Sequence, residues 1–521
     1  MITEDQSEVV SFLASPATHG GAAVERIDSH ASVVFLAGTR AWKLKRAVRY
    51  DYLDFSTAER RRVLCEAEVR INRTAAPAIY RGVVAVTREP DGSLALGGTG
   101  TPVDWLVEMT RFDGEGLFDR LAARGRLDLA LMPALADAIA RFHDAATRRP
   151  DHGGAAGMTW VVDGNATGFA EEGRPWLDAA ACADLTARSR AAIERQRRLL
   201  DARRDGGFVR QCHGDLHLRN LVLVDGRPTL FDAVEFNDEI SCTDVLYDLA
   251  FLLMDLWRRQ LPGHANAVWN AYLTATGELD GLPLLPLFLS CRAAVRAKTS
   301  VTAAGLARDP RRGELAAQAR EYLTLARQFL DPPPPVLVAI GGHSGTGKST
   351  LARALAPALG AVPGAVLVRS DEIRKHLCGV DPLERLGREG YAPTVTAQVY
   401  ATIADRARQA IAGGQAAVVD AVYADPGERA SIERRAEAIG VPWVGLWLEA
   451  PTGITIARVE RRHGDASDAD AAVIRAQAAR DVGVVGWHRL DASAAADVVL
   501  AAATAAVRDR LGAAAVRDAC V

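Results

Sequence analysis

Residues 341 to 350 read GGHSGTGKST and follow the short apolar run VLVAI, and no other segment restricts the fold so tightly. The spacing G-x-x-x-x-G-K-[ST] is met by Gly342, Gly347, Lys348 and Ser349. A glycine-rich turn lets consecutive backbone N–H groups point inward around a phosphate, and the N-terminus of the helix that follows adds its positive end. Lys348 is then placed to reach the outer phosphates and the Ser349 hydroxyl to ligate Mg²⁺, with Gly345 and Thr350 as part of the same loop. An apolar strand before the loop and the helical segment LARALAPAL after it predict an α/β domain on a parallel sheet.

Two further strands in this half, AVLVRS and AAVV, run into Asp371 and Asp420. Open α/β sheets bind ligands at the C-terminal ends of their strands, so both carboxylates fall where the phosphate loop does. Asp420 is expected at the metal and Asp371 at the phosphoryl acceptor. Asp420 is followed by Ala421 and not by a second acid, and the domain spans only about 190 residues, which favours a small enzyme over an oligomeric motor. SDEIRKH (370–376) resembles the segment of small P-loop kinases in which the aspartate contacts the acceptor hydroxyl. The resemblance places Arg374 and Lys375 beside that acceptor. After the strand in WLEAP comes a helix bearing Arg458, Arg461 and Arg462, then the acidic stretch DASDAD. These arginines resemble the lid of nucleoside- and sugar-kinase-like P-loop enzymes; that likeness implies a grip on the transferring phosphoryl group, whereas a solvated helix face is the plainer reading.

Upstream, DPPPP (331–335) stops an amphipathic helix predicted over 311–330 and separates two expected domains, 1–330 and 331–521. The first opens with two strands across ASVVFLAGTRAWKLKR (31–46), then a helix over 57–73 and another over 128–147.

Within it, QCHGDLHLRN (211–220) holds His213, Asp215 and Asn220 at the H-x-D-x-x-x-x-N spacing of a kinase catalytic loop. In that geometry the aspartate orients the acceptor hydroxyl and the asparagine ligates Mg²⁺. A strand, a turn at Asp225-Gly226 and a second strand then lead to Asp232, the place of a second metal-binding aspartate. Cys212, His213 and His217 could instead be zinc ligands, but no second cluster with ligand spacing completes a tetrahedral site.

The H-G-D-x-H-x-x-N run with its following aspartate resembles the aminoglycoside and choline phosphotransferase superfamily. The whole chain is similar to a bacterial family of fused aminoglycoside phosphotransferase-like and P-loop ATP-binding proteins, the latter half AAA-type and zeta-toxin- and sugar-kinase-like. The resemblance implies a bilobed protein-kinase-like fold ahead of the P-loop domain. It also implies a phosphate-binding lysine on the third strand at Lys43, with Glu68 of the next helix as its partner. Lys45 lies on the same strand face as Lys43, because side chains alternate with period two, and Glu66 rivals Glu68. DWLVEMTRFD implies an adenine-binding hinge near Glu108 and Met109. One departure stands out: no G-x-G-x-x-G loop is present, and the corresponding turn is IDSHAS (27–32), where Ser29 and Ser32 are candidates to cover the phosphates.

Composition adds boundaries. A net charge of −3 gives no overall footprint for nucleic acid or an anionic membrane. No apolar stretch reaches membrane-spanning length, and seven scattered cysteines without a CxxC pair fit a reducing cytoplasm. Only five of 62 basic residues are lysines (Lys43, Lys45, Lys298, Lys348, Lys375), so those retained deserve scrutiny. The expected activity is ATP- and Mg²⁺-dependent transfer of the γ-phosphoryl to a hydroxyl of a small polar molecule, sugar- or amino-sugar-like. Two other functions compete: a nucleotide-sensing regulator, and a nucleic-acid end kinase.

Overall fold

The computed structural model describes residues 2–308, 310–381, 383–461, 466–512 and 515–517. The chain divides into two compact units, one of residues 1–167 and 190–255, the other of residues 168–189 and 256–521.

In the first unit, six strands form an antiparallel sheet in the order Val24–Asp28, Ser32–Ala37, Arg40–Lys45, Thr101–Thr110, Tyr80–Arg88, Leu94–Leu96. Alternation along Arg40–Lys45 sends Trp42 and Leu44 to one face, where they pack with Val9 and Leu13 of the helix Ser7–Ala14. The opposite face carries Lys43 and Lys45 toward the helix Ala58–Asn72, which buries Cys65 and Val69 against Val107 and Met109. Thr57 caps that helix by accepting the Arg60 N–H, and Glu59 in its first turn suits the positive end of the helix. The rest of the unit is helical around two short ladders. One pairs Leu221–Val224 with Arg227–Leu230, the other Val209–Gln211 with Cys242–Asp244.

The second unit holds a five-stranded, wholly parallel sheet in the order Val366–Arg369, Ala417–Asp420, Leu337–Gly342, Trp443–Glu449, His488–Asp491. Four of its strands are largely apolar and buried, while the edge strand His488–Asp491 (HRLD) is mostly exposed. The units do not part at the prolines. Helices Pro262–Thr276, Leu285–Leu306 and Arg311–Phe329 group with the parallel sheet, and one reason is a pair of buried amides. Asn270 donates to Ala365 O (3.1 Å) and accepts from Leu367 N–H (2.7 Å), while Asn266 donates to Ala365 O (3.1 Å). These bonds supply partners to the backbone of an edge strand, whose outer N–H and C=O groups the sheet leaves unpaired.

Candidate active sites

In the first unit the third strand and the helix Ala58–Asn72 meet through ion pairs. Lys43 Nζ donates to Glu68 Oε1 (2.8 Å) and to Asp232 Oδ1 (2.5 Å). Lys45 Nζ donates to Glu68 Oε2 and to Glu235 Oε1, each at 2.5 Å. The two lysines thus share one carboxylate, and depth separates them. The Lys43 side chain keeps 14% of its surface exposed beside Asp232, which is 45% exposed; Lys45 keeps 1% beside Glu235, at 4%. Glu66 is paired instead with Arg62 on the helix surface. Burial alone would push Glu68 up, but the two lysines hold its carboxyl below the usual range. Burial likewise opposes the charge on Lys43, and Asp232 and Glu68 outweigh it, so its ammonium is held firmly protonated.

The catalytic-loop residues converge as their spacing predicts. Asn220 Nδ2 donates to Asp215 Oδ2 (3.0 Å) and to its backbone O (2.9 Å), and His217 Nε2 lies 3.3 Å from the same carboxylate. His213 is buried, its Nε2 2.9 Å from Phe231 O. Asp232 adopts a left-handed backbone (φ 63°), and its N–H donates to the Tyr80 hydroxyl (3.0 Å). Cys212, His213 and His217 turn to different partners, Cys212 donating to Thr243 O (3.3 Å), so they do not make the zinc site the sequence allowed.

Sequence reading missed what holds this loop. The helix Val245–Arg258 buries two acids: Asp248 accepts the N–H groups of His213 (3.2 Å) and Gly214 (2.8 Å), and Asp255 accepts that of Leu218 (3.1 Å). His143 Nε2 lies 3.1 Å from Asp248 and closes the buttress. The signal was there in YDLAFLLMDL, where two acids seven residues apart share one face of an otherwise apolar helix, a costly arrangement unless they accept hydrogen bonds.

Two other expectations shift. Met109 lies inside its strand, in register with Ala41 on one side and Tyr80 on the other, with its side chain buried. The turn that replaces a glycine loop is closed by Ser29, whose Oγ accepts the Ser32 N–H (2.9 Å) and contacts the Ser32 hydroxyl (3.0 Å). Those hydroxyls are engaged within the turn itself.

In the second unit the phosphate loop requires its glycines. Gly342 (φ 137°) and Gly345 (φ 81°) are left-handed, and a Cβ there would stand 2.5 Å from Leu448 O and 2.6 Å from Thr455 O. Gly345, Gly347, Lys348, Ser349 and Thr350 line a cavity of about 390 Å³ together with Asp371, Asp420 and Arg458. Ser349 Oγ donates to Asp420 Oδ2 (2.5 Å), which joins the two groups expected at a metal, and Lys348 Nζ donates to His343 O (3.0 Å). Burial and the nearby Asp420 raise the carboxyl of Asp371, with a bond from Ser467 opposing them.

Of the lid arginines, Arg458 lines the cavity; Arg461 is exposed at the end of its helix and outside that lining, and Arg462 lies outside the described residues. Arg374 and Lys375 are buried in structural bonds, correcting the expectation that they face the acceptor. Arg374 donates to Gly390 O (2.8 Å) and Lys375 pairs with Asp468 (2.8 Å).

The donor sets fit a nucleotide and a divalent ion. The glycine cradle leaves room only for bare backbone at Gly342 and Gly345; the Ser349 hydroxyl with the Asp420 carboxylate in one site, and the side-chain oxygens of Asn220 and Asp232 in the other, are of the kind that suits Mg²⁺.

Comparison with known proteins gives each of the two regions a family match. Residues 25–282 match the model of the phosphotransferase enzyme family and residues 337–481 that of the AAA domain. An uncharacterized protein of Mycobacterium tuberculosis is 30% identical over 480 residues, 89% of this chain and 91% of its own. Among solved structures, a sugar kinase from Janibacter sp. covers 35% of this chain and 100% of its own at 18% identity (TM-score 0.27). An ethanolamine kinase of Plasmodium vivax covers 63% and 90% at 13% identity (TM-score 0.39). The chain is a kinase in which a phosphotransferase domain with the protein-kinase-like fold precedes an AAA-type P-loop domain, and it belongs to the family of its mycobacterial relative.

Proposed function

We propose that the chain carries two ATP- and Mg²⁺-dependent phosphoryl-transfer sites, one in each family-matched region, each acting on a hydroxyl of a small polar, sugar- or amino-sugar-like molecule. The observation that carries this reading is that each site brings together a phosphate-side cation, metal-type oxygen donors and an acceptor-side aspartate. In the first these are Lys43 paired with Asp232, and Asn220 bonded to Asp215; in the second, Lys348, Ser349 bonded to Asp420, and Asp371. Bound Mg²⁺ and ATP supply the phosphoryl group and screen its charge; the protein's part is placement. Asp215, 40% exposed and steadied by Asn220, can accept a hydroxyl's hydrogen bond, and Lys43 can neutralise phosphate oxygens while Glu68 fixes its direction. Asp371 serves the same role at the other site, where its raised affinity for a proton suits an acid–base partner. The functional division we favour remains 1–330 and 331–521, although packing groups residues 256–330 with the P-loop sheet. Scattered, mostly buried cysteines support a reducing cytoplasm.

The test is an acceptor screen with radiolabelled ATP and panels of sugars, amino sugars, aminoglycosides, nucleosides and oligonucleotide 5′ ends, run on wild type, Asp215→Asn and Lys348→Ala. Two labelled products, each lost in one variant, are expected. Bound ATP with no product from any class would sink the enzyme reading of the acceptor sites and favour nucleotide sensing.

A further inference from the structure

The stretch after the lid arginines makes three attachments around the P-loop cavity. Ser467 lines the cavity and its hydroxyl bonds Asp371. Asp468 pairs with Lys375 (2.8 Å) and accepts from Leu386 N–H (3.0 Å) and the Tyr391 hydroxyl (2.9 Å). Asp470 caps the helix Ala471–Ala478 by accepting the N–H groups of Ala472 and Val473, both at 2.9 Å. At its penultimate position, that helix presents Gln477 to the phosphate loop: Oε1 accepts the Ser344 N–H (2.7 Å) and Nε2 donates to Ser344 Oγ (3.2 Å). Ser344 is 8% exposed and lines the same cavity.

A primary amide offers an acceptor and a donor side by side, so one side chain can engage the backbone and the hydroxyl of the same residue. Carboxylate or apolar replacements cannot do both. The N–H groups of a phosphate loop are its anion-binding surface, and their directions set its fit to phosphate. Asp468, nearly buried and with three partners, fixes the strap immediately after its first contact with the cavity, at Ser467.

We propose that residues 466–478 form a strap that sets both ends of the P-loop site at once, Gln477 positioning Ser344 in the phosphate loop and Ser467 positioning Asp371 on the acceptor side. Both are positioning residues, and the proposal rests on the P-loop kinase reading above. Residues 466–470 of the acidic DASDAD segment, with the helix Ala471–Ala478, thereby become the connection through which the acceptor carboxylate and the phosphate cradle hold a fixed relation.

The experiment is calorimetric titration of the full-length protein with Mg²⁺–ATP, taking the component removed by Lys348→Ala as that of the P-loop site. Gln477→Leu should weaken this component roughly tenfold, as expected for two lost hydrogen bonds, and leave the other component unchanged. Gln477→Glu should weaken it at least as much, because it keeps the bond to Ser344 N–H but brings a negative charge to the phosphates. Ser467→Ala should instead leave nucleotide affinity in place and lower the Lys348-dependent turnover, a split between KM and kcat that general loosening would not produce. An unchanged P-loop component in Gln477→Leu and Gln477→Glu, or equal weakening of both components, overturns the strap. If Lys348→Ala removes neither component, the P-loop reading itself fails, whatever the strap variants do.

Discussion

The two sites solve one problem by opposite means. The phosphate loop of the second unit gathers its donors from ten consecutive residues, mostly as backbone, and draws on the rest of the chain for a few side chains, Asp371, Asp420 and Gln477 among them. The site of the first unit has no glycine loop and gathers side chains from Lys43 to Asp232, across 189 positions, held by ion pairs and by a buried helix that anchors the catalytic loop. A backbone cradle is fixed by local conformation, so its failure modes are steric and local. A side-chain site is fixed by tertiary packing, so its function and its unit's stability should fail together.

The sharpest way to break this contrast is to remove the cation of the second site and, one at a time, two carboxylates of the first. Lys348→Ala should lower P-loop-dependent turnover by a hundredfold or more (~10²–10³) while hardly moving the melting temperature, since the lysine's role is electrostatic stabilisation at the phosphates. Matching kinetics on Asp215→Asn and Asp232→Ala should divide the first site. Asp215→Asn is expected to abolish transfer with ATP affinity retained, and Asp232→Ala to weaken Mg²⁺–ATP binding. Equal losses of nucleotide affinity in the two variants would show that their roles are wrongly assigned.

The same contrast explains what could be read from the sequence. The phosphate loop, its flanking strand and helix, and the strand-end aspartates were legible because spacing along a short segment dictates their geometry. The choice between Lys43 and Lys45 was not, because period two puts both on one face and only partners 189 and 190 residues away, Asp232 and Glu235, separate them by depth. Arg374 and Lys375 misled for a related reason. A basic pair beside a catalytic aspartate shows which helix face is charged but not what faces it, and here that is Gly390 and Asp468. The boundary at the prolines marks where a helix must stop, not which sheet that helix packs with.

Lys45 offers a stability test of the side-chain-built site. Removing one partner from a buried ion pair leaves an uncompensated charge, at a cost of about 3–5 kcal/mol. Lys45→Met strands Glu235 and half of Glu68, so a large fall in melting temperature is expected, measurable by calorimetry or circular dichroism. Lys43→Met, at the exposed end of the same network, should lower the melting temperature less and ATP affinity more. The reverse ranking would exchange the two lysines' roles.

The smallest effect concerns pH. Burial lowers the proton affinity of His213 below its ordinary value of 6.5, although Asp248, Asp215 and Asp232 pull the other way. As pH falls through about 6.5, the unfolded chain takes up a proton at this position that the folded chain refuses. The unfolded state then binds more protons, so stability falls with falling pH until the depressed native value is reached, and it is flat above neutrality. In the second unit His343 of the phosphate loop is likewise held below its ordinary value, by burial and the nearby Lys348, and adds a slope of the same sign. Denaturation by urea at a series of pH values between 7.5 and 5 would show it in wild type and show it reduced in His213→Asn, with Asp248 retained to hold the Gly214 N–H. An unchanged slope in that variant would show that His213 does not carry the acid sensitivity and would leave it to His343.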